Sequence, residues 1–167
     1  NLLAASGRYP EAIRHFQAVV RHRPDHMEAR TGLAAALTLT GKPEMAVSQL
    51  REVLRRSSGS AAAYFELGRA LGLLEEWDEA ERALLESLRL APGQPLAQIN
   101  LGVVLAGKGE HREAADAFRE VVLIDPSNAS AYFELGKSLC AIDSLAAGDQ
   151  AFDRAVTLSA QRAEASS

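Results

Sequence analysis

The sequence is poor in the residues that most often carry chemistry or a covalent framework. One cysteine, Cys140, in 167 residues excludes an internal disulfide and any cysteine-built zinc or iron–sulfur site. Aromatic residues make up only 5%, so the core has to be assembled mainly from Ala, Leu and Val. No run of ~18 uncharged apolar residues occurs, so a transmembrane helix is not expected within this chain. No aromatic residues interleave with the basic residues near the N-terminus, so the stacking platform of a nucleic-acid binder is missing. The 6 prolines are scattered as punctuation, not gathered into a low-complexity tract. What remains, 47% hydrophobic and 24% charged, is the composition of a globular domain with a sizeable core.

The formal net charge of −4 is unevenly spread. Residues 1–56 carry nine Lys and Arg against five acids, and residues 57–167 carry nine against seventeen. Solvated helix faces account for most such charges. A basic end and an acidic end also provide a route to self-association.

What the chain does have is a period. Ala63-Tyr64-Phe65-Glu66-Leu67-Gly68 recurs as Ala131-Tyr132-Phe133-Glu134-Leu135-Gly136, 68 residues later. Halfway between lies Gln98-Ile99-Asn100-Leu101-Gly102. Columns at a spacing of 34 follow along the chain: Leu37, Leu71, Leu105 and Leu139; Ala12, Ala46, Ala80 and Ala114; Phe16, Leu50, Leu84, Phe118 and Phe152. Pro24, Pro92 and Pro126 form another, with Ser58 in the second slot. A period of this length is the signature of a repeat array, in which no unit buries its own apolar face.

Each period reads as two helices. Tyr64, Leu67, Gly68 and Leu71 follow i, i+3, i+4, i+7 spacing, and Ala80, Leu84, Leu85 and Leu88 make a second stripe. The break falls at Glu75-Glu76-Trp77-Asp78. Gly7, Gly41 and Gly109 hold the same turn in other periods, where a left-handed backbone is expected. The small columns allow two antiparallel helices to cross closely. Phe16, Phe118 and Phe152 are expected to fill the wedge beside that crossing.

This pattern resembles the tetratricopeptide repeat family over essentially the whole chain. The third period supplies Tyr64, Leu67, Gly68, Leu71, Ala80, Leu84, Ser87 and Pro92; the fourth, Gln98, Leu101, Gly102, Leu105, Ala114, Phe118, Val121 and Pro126. The resemblance implies an all-α fold, a right-handed α-α superhelix of about four full 34-residue repeats plus a partial N-terminal one. The expected divisions are 1–26 (partial), 27–60, 61–94, 95–128 and 129–162, with 163–167 as a tail of one single domain. The fifth period departs from the pattern, with Gly148 in place of Ala and Ala160 in place of Pro, as in a relaxed terminal repeat. The first period enters mid-helix at Asn1-Leu2-Leu3, so upstream sequence is expected, and any targeting signal with it. The cytoplasm is the default compartment.

Signatures of catalysis or cofactor binding do not emerge. Gly107-Lys108-Gly109 lacks the spacing of a phosphate loop. His22 and His26 flank Pro24 at a helix end and do not share a face as metal ligands. Cys140 reads as a half-buried free thiol. Glu75-Glu76 and Asp78-Glu79 read as charges at a helix start. No catalytic residue, metal or cofactor is expected.

The resemblance places binding on the face lined by the first helix of each pair. Carried over by register, the lining residues are Glu28, Thr31, Gly32 and Ala35; Ala62, Phe65, Glu66 and Arg69; Leu96, Ile99, Asn100 and Val103; Ser130, Phe133, Glu134 and Lys137. Phe65, Ile99 and Phe133 share one column and are expected to hold apolar side chains of a partner. Arg69 and Lys137 either receive a partner carboxylate or pair with Glu66 and Glu134 three residues before them. Asn100 sits where family members bind a peptide backbone. The Lys/Asn clamp that some members use for a peptide carboxylate is absent, since Ser130 and Glu134 occupy its later positions.

The function this implies is non-catalytic: a scaffold binding a partner protein or peptide in its concave groove. Thr31, Ala35, Phe65, Arg69, Ile99, Asn100, Val103, Phe133 and Lys137 are the expected contact residues. Two alternatives remain: a regulatory or substrate-recruiting segment of a larger enzyme such as a glycosyltransferase, and a self-assembling structural scaffold. Nucleic acid is not an expected partner.

Overall fold

The computed structural model describes residues 8–164, which are entirely helical apart from turns. The elements are α1 (Tyr9–His22), α2 (Met27–Leu39), α3 (Pro43–Arg56), α4 (Ala61–Leu73), α5 (Trp77–Leu90), α6 (Pro95–Gly107), α7 (His111–Ile124), α8 (Ala129–Ala141) and α9 (Leu145–Glu164). The expectations for Asn1-Leu2-Leu3 and Gly7 lie outside the described residues. Packing divides the chain into two compact units, 1–92 and 93–167. The first holds α1 to α5 and the second α6 to α9.

Local sequence explains where the helices start. Pro10, Pro43 and Pro95 sit in first turns, where a missing N–H costs nothing and the fixed φ already suits a helix. His26, Ser60 and Asn128, one column at the repeat spacing, are N-caps. Their side chains accept from the backbone N–H of Ala29, Ala63 and Ala131 at 3.3, 3.2 and 3.0 Å. His26 thus has a capping role.

The turn inside each hairpin uses one left-handed residue. Gly41 (φ 73°) and Gly109 (φ 84°) fill it as expected, but Glu75 (φ 58°) and Asp143 (φ 59°) adopt the same conformation without being glycine. The hairpin geometry therefore overrides local preference at those two positions.

Each unit has a hairpin that closes on a bulky side chain seated against a glycine. A Cβ added at Gly68 would lie 2.5 Å from Leu84 Cγ. One at Gly102 would lie 2.7 Å from Phe118 Cζ, and one at Gly136 would lie 2.7 Å from Phe152 Cε1. Any larger residue would force the helices apart. Phe118 and Leu84 are wholly buried. Phe16 packs against Gly32 on the helix that follows it. That contact joins α1 to α2.

Gly148 has a local cause that the repeat pattern did not reveal. It is buried, and a Cβ there would lie 2.5 Å from Cys140 Sγ. The thiol occupies the volume that alanine fills elsewhere in the column, so this departure reflects close packing and not a relaxed outer face. Cys140 is a free, half-buried thiol.

Candidate functional site

In unit 1 the expected contact residues lie on α2 and α4. Thr31 donates its hydroxyl to the Met27 carbonyl at 3.0 Å. With Met27, Glu28, Ser60 and Ala62 it lines a cavity of about 200 Å³. The column of Thr31 therefore faces the start of the next first helix. Phe65, in that column, is half-buried. Arg69 curls back over the Phe65 ring, its guanidinium carbon 5.9 Å from the centroid.

Arg69 and Glu66 answer the pairing question for unit 1. Arg69 Nη2 lies 2.8 Å from Glu66 Oε2, with side chains only 24% and 14% exposed. The same nitrogen donates to the Ala35 carbonyl at 3.4 Å, tying α4 to α2. The carboxylate contact is too oblique for a hydrogen bond, and Glu66 Oε2 and Arg69 Nε have none among the described residues. Burial pushes the Glu66 carboxyl above its ordinary value, against the pull of Arg69.

In unit 2 they lie on α6 and α8. Asn100 donates its amide N–H to the Leu96 carbonyl at 2.7 Å, one turn back on its own helix. Ile99 is half-buried, and Val103 is exposed. Phe133 is 51% exposed. Its ring meets Phe152 at 5.5 Å between centroids, tilted by 58°. Lys137 pairs with Glu134 at 2.8 Å and stands 5.7 Å from the Phe133 centroid.

The structure therefore brings together Ala35, Phe65 and Arg69 in one unit, and Phe133 and Lys137 in the other. Both cations are paired internally. Phe133 also forms one wall of a groove of about 680 Å³ between α8 and α9, shared with Ala129, Ser130, Glu134, Ala155, Val156, Ser159 and Ala160. Sequence reasoning missed the α9 wall. Its signal was present in a further apolar column at the same spacing, Val20, Leu54, Leu88, Val122 and Val156. The first four are half-buried, whereas Val156 is 69% exposed.

Charge elsewhere forms local pairs. Arg55 and Arg56 hydrogen-bond Glu52 and pull its carboxyl down to about 2. Arg51 bridges α3 and α5 through Glu79 at 2.9 Å. Among the described residues no three His, Cys, Asp or Glu side chains gather as a metal site, and no helix is long and apolar enough to cross a membrane.

Helical hairpins of fixed length, three of them closed by a glycine under a bulky side chain, define a helical-repeat protein. The family model for the tetratricopeptide repeat matches four overlapping stretches, residues 1–61, 40–95, 65–129 and 99–163. The chain belongs to the tetratricopeptide repeat family. No curated protein matches it. Among solved structures it is similar to MamA, at 25% identity over 97% of this chain and 95% of that one, with a TM-score of 0.85. MamA from Desulfovibrio magneticus RS-1 is 21% identical over 95% of this chain and 90% of that one, with a TM-score of 0.85. YrrB, a tetratricopeptide protein with an unusual peptide-binding site, is 21% identical over 95% of this chain and 81% of that one, with a TM-score of 0.77.

Proposed function

We propose that the chain is a non-catalytic interaction scaffold that captures a partner peptide or helix on the faces of its first helices. The observation that carries this reading is the set of apolar side chains left in solvent there, Phe133 at 51% and Val103 at 45% exposed. Leaving such groups in water gains nothing for the fold, and covering them drives association. Lys137 beside Phe133 adds a charge that selects for a partner carboxylate once it leaves Glu134. Phe65, Ile99 and Arg69 contribute less, being half-buried, and Thr31, Ala35 and Asn100 shape the surface. The peptide-binding site of YrrB supports the reading by analogy of fold.

Peptides selected from a random library on the wild-type chain provide the test. The double variant Phe65→Glu with Phe133→Glu should lose them while keeping its helical content. Undiminished binding to that variant would sink the proposal.

The uneven charge favours a second reading, self-association. Arg8, Arg14, Arg21 and Arg23 face only Glu11 among the acids of residues 8–23, and Arg8 pairs with it. Oligomers that dissociate as salt rises would support this reading, whereas a monomer at every ionic strength would count against it.

A further inference from the structure

We infer that His26 is a proton-operated cap: when neutral its imidazole holds the first turn of α2, and when protonated it releases that turn and takes the Glu28 carboxylate instead. The inference goes beyond the reading of the chain as an interaction scaffold and does not depend on it. Its basis is one nitrogen with two neighbours of opposite need. Nδ1 of His26 accepts from the Ala29 N–H at 3.3 Å and lies 3.2 Å from Glu28 Oε2. A bare ring nitrogen can receive an N–H but not bond a carboxylate oxygen, and a protonated one does the reverse. The two contacts therefore exclude each other, and a single proton on Nδ1 decides between them.

The backbone beneath the imidazole is held from both sides. The His26 N–H donates to the Arg23 carbonyl at 3.1 Å, and the His26 carbonyl accepts from the Arg30 N–H at 3.2 Å. The side chain is 32% exposed, so a proton reaches it without opening the fold. Histidine is the side chain that ordinarily changes charge between about pH 5 and 8. Ser60 and Asn128 hold the equivalent caps of α4 and α8, and neither side chain titrates in that range. One column of caps thus carries three chemistries, of which one answers to pH.

The surroundings leave the protonated ring to Glu28. α1 ends on Arg21 and His22, and Arg23 and Asp25 flank His26 in the turn. α3, packed on α2, ends on Arg55 and Arg56, both held by Glu52. α4 opens on Ala61, Ala62 and Ala63, and Glu66 and Arg69 further along it pair with each other. Arg30 is engaged by the Pro24 carbonyl and Gln49. Among the described residues Glu28 makes the ion-pair contact to the imidazole. A cation at a helix start is also repelled by the first-turn N–H groups, which turns the charged ring toward the carboxylate.

The consequence falls on the face of α2. Met27, Glu28 and Thr31 line the cavity of about 200 Å³ that they share with Ser60 and Ala62. Protonation of His26 neutralises Glu28 at the rim of that cavity and loosens the turn that carries Met27.

Hydrogen exchange of the Ala29 amide decides the matter, corrected for the intrinsic effect of pH and compared with Ala63 and Ala131 in the same sample. From about pH 8 to about pH 5 the protection of Ala29 should fall about fivefold relative to the other two, the ratio that a cap of ordinary strength confers. His26→Ser installs the side chain used at Ser60 and should keep Ala29 protected throughout. Glu28→Gln should move the loss to lower pH, because the charged ring then has no carboxylate to take. Constant relative protection of Ala29, the same loss in His26→Ser, or a transition unmoved by Glu28→Gln would overturn the inference. So would an equal loss at Ala63 and Ala131, the mark of a general loosening of the array.

Discussion

Residues 63–69 and 131–137 differ in a single residue, Arg69 against Lys137. Both stretches form the same helical segment, the same i, i+3 ion pair and the same cation over a phenylalanine ring. Their surroundings nevertheless give them different roles. In unit 1 the set is mostly buried, and Arg69 reaches a carbonyl of the neighbouring first helix. In unit 2 Phe133 and Lys137 stand half in water. A planar guanidinium can serve a carboxylate and a carbonyl at once, whereas an ammonium is a strongly hydrated point charge. The lesson is that identical local sequence specifies the same local pairings, but not how deeply they are buried.

The comparison can be broken most sharply at the cations. Arg69→Met should cost about 2 kcal/mol in denaturant unfolding, because Glu66 is left buried beside no charge. If it unfolds like wild type, the buried pair has no structural role. The hairpin turns come next. Glu75→Gly should stabilise the chain by about 1 kcal/mol, since glycine adopts the left-handed backbone freely. Asp143→Gly should gain less, because aspartate tolerates that region better than glutamate. Thermal melts of the two variants check the order.

The acid limb of stability sharpens the contrast further. Burial raises the Glu66 carboxyl, so the folded state binds its proton more readily than the unfolded chain does. Its contribution to stability is therefore favourable at low pH and declines as pH rises through the raised value. Glu52, pulled down to about 2, has the opposite sign: its contribution is present above the ordinary value of 4.5 and fades as pH falls below it. Urea titrations at several pH values should show Glu66→Gln removing the first trend and Glu52→Gln the second. The smallest effect belongs to Lys137→Met, within about 0.5 kcal/mol of wild type, as for other exposed pairs.

Much of this architecture was legible beforehand. The columns of Gly68, Gly102 and Gly136 predicted close helix crossings with Phe16, Phe118 and Phe152 in the wedge beside them, and the structure seats Phe118 and Phe152 against Gly102 and Gly136 but Phe16 against Gly32. The i, i+3 partners of Arg69 and Lys137 were visible as one of two options. The left-handed Glu75 and Asp143 were not, because nothing local in those residues asks for that backbone. Gly148 was misread because its cause, Cys140, sits eight residues away on the neighbouring helix. Val156 was overlooked because its column looked like ordinary core until its exposure distinguished it.

The sequence by itself determined the paired helices, their period and the family, because periodic apolar and small residues act through short-range geometry that repeats every 34 positions. Only the tertiary structure decided which copy of each pattern is covered. Exposure depends on whether a neighbouring helix lies on that face, and a residue's own type and spacing are the same in either case. Phe65 and Phe133 are the same letter in the same register, yet the first is half-buried and the second 51% exposed.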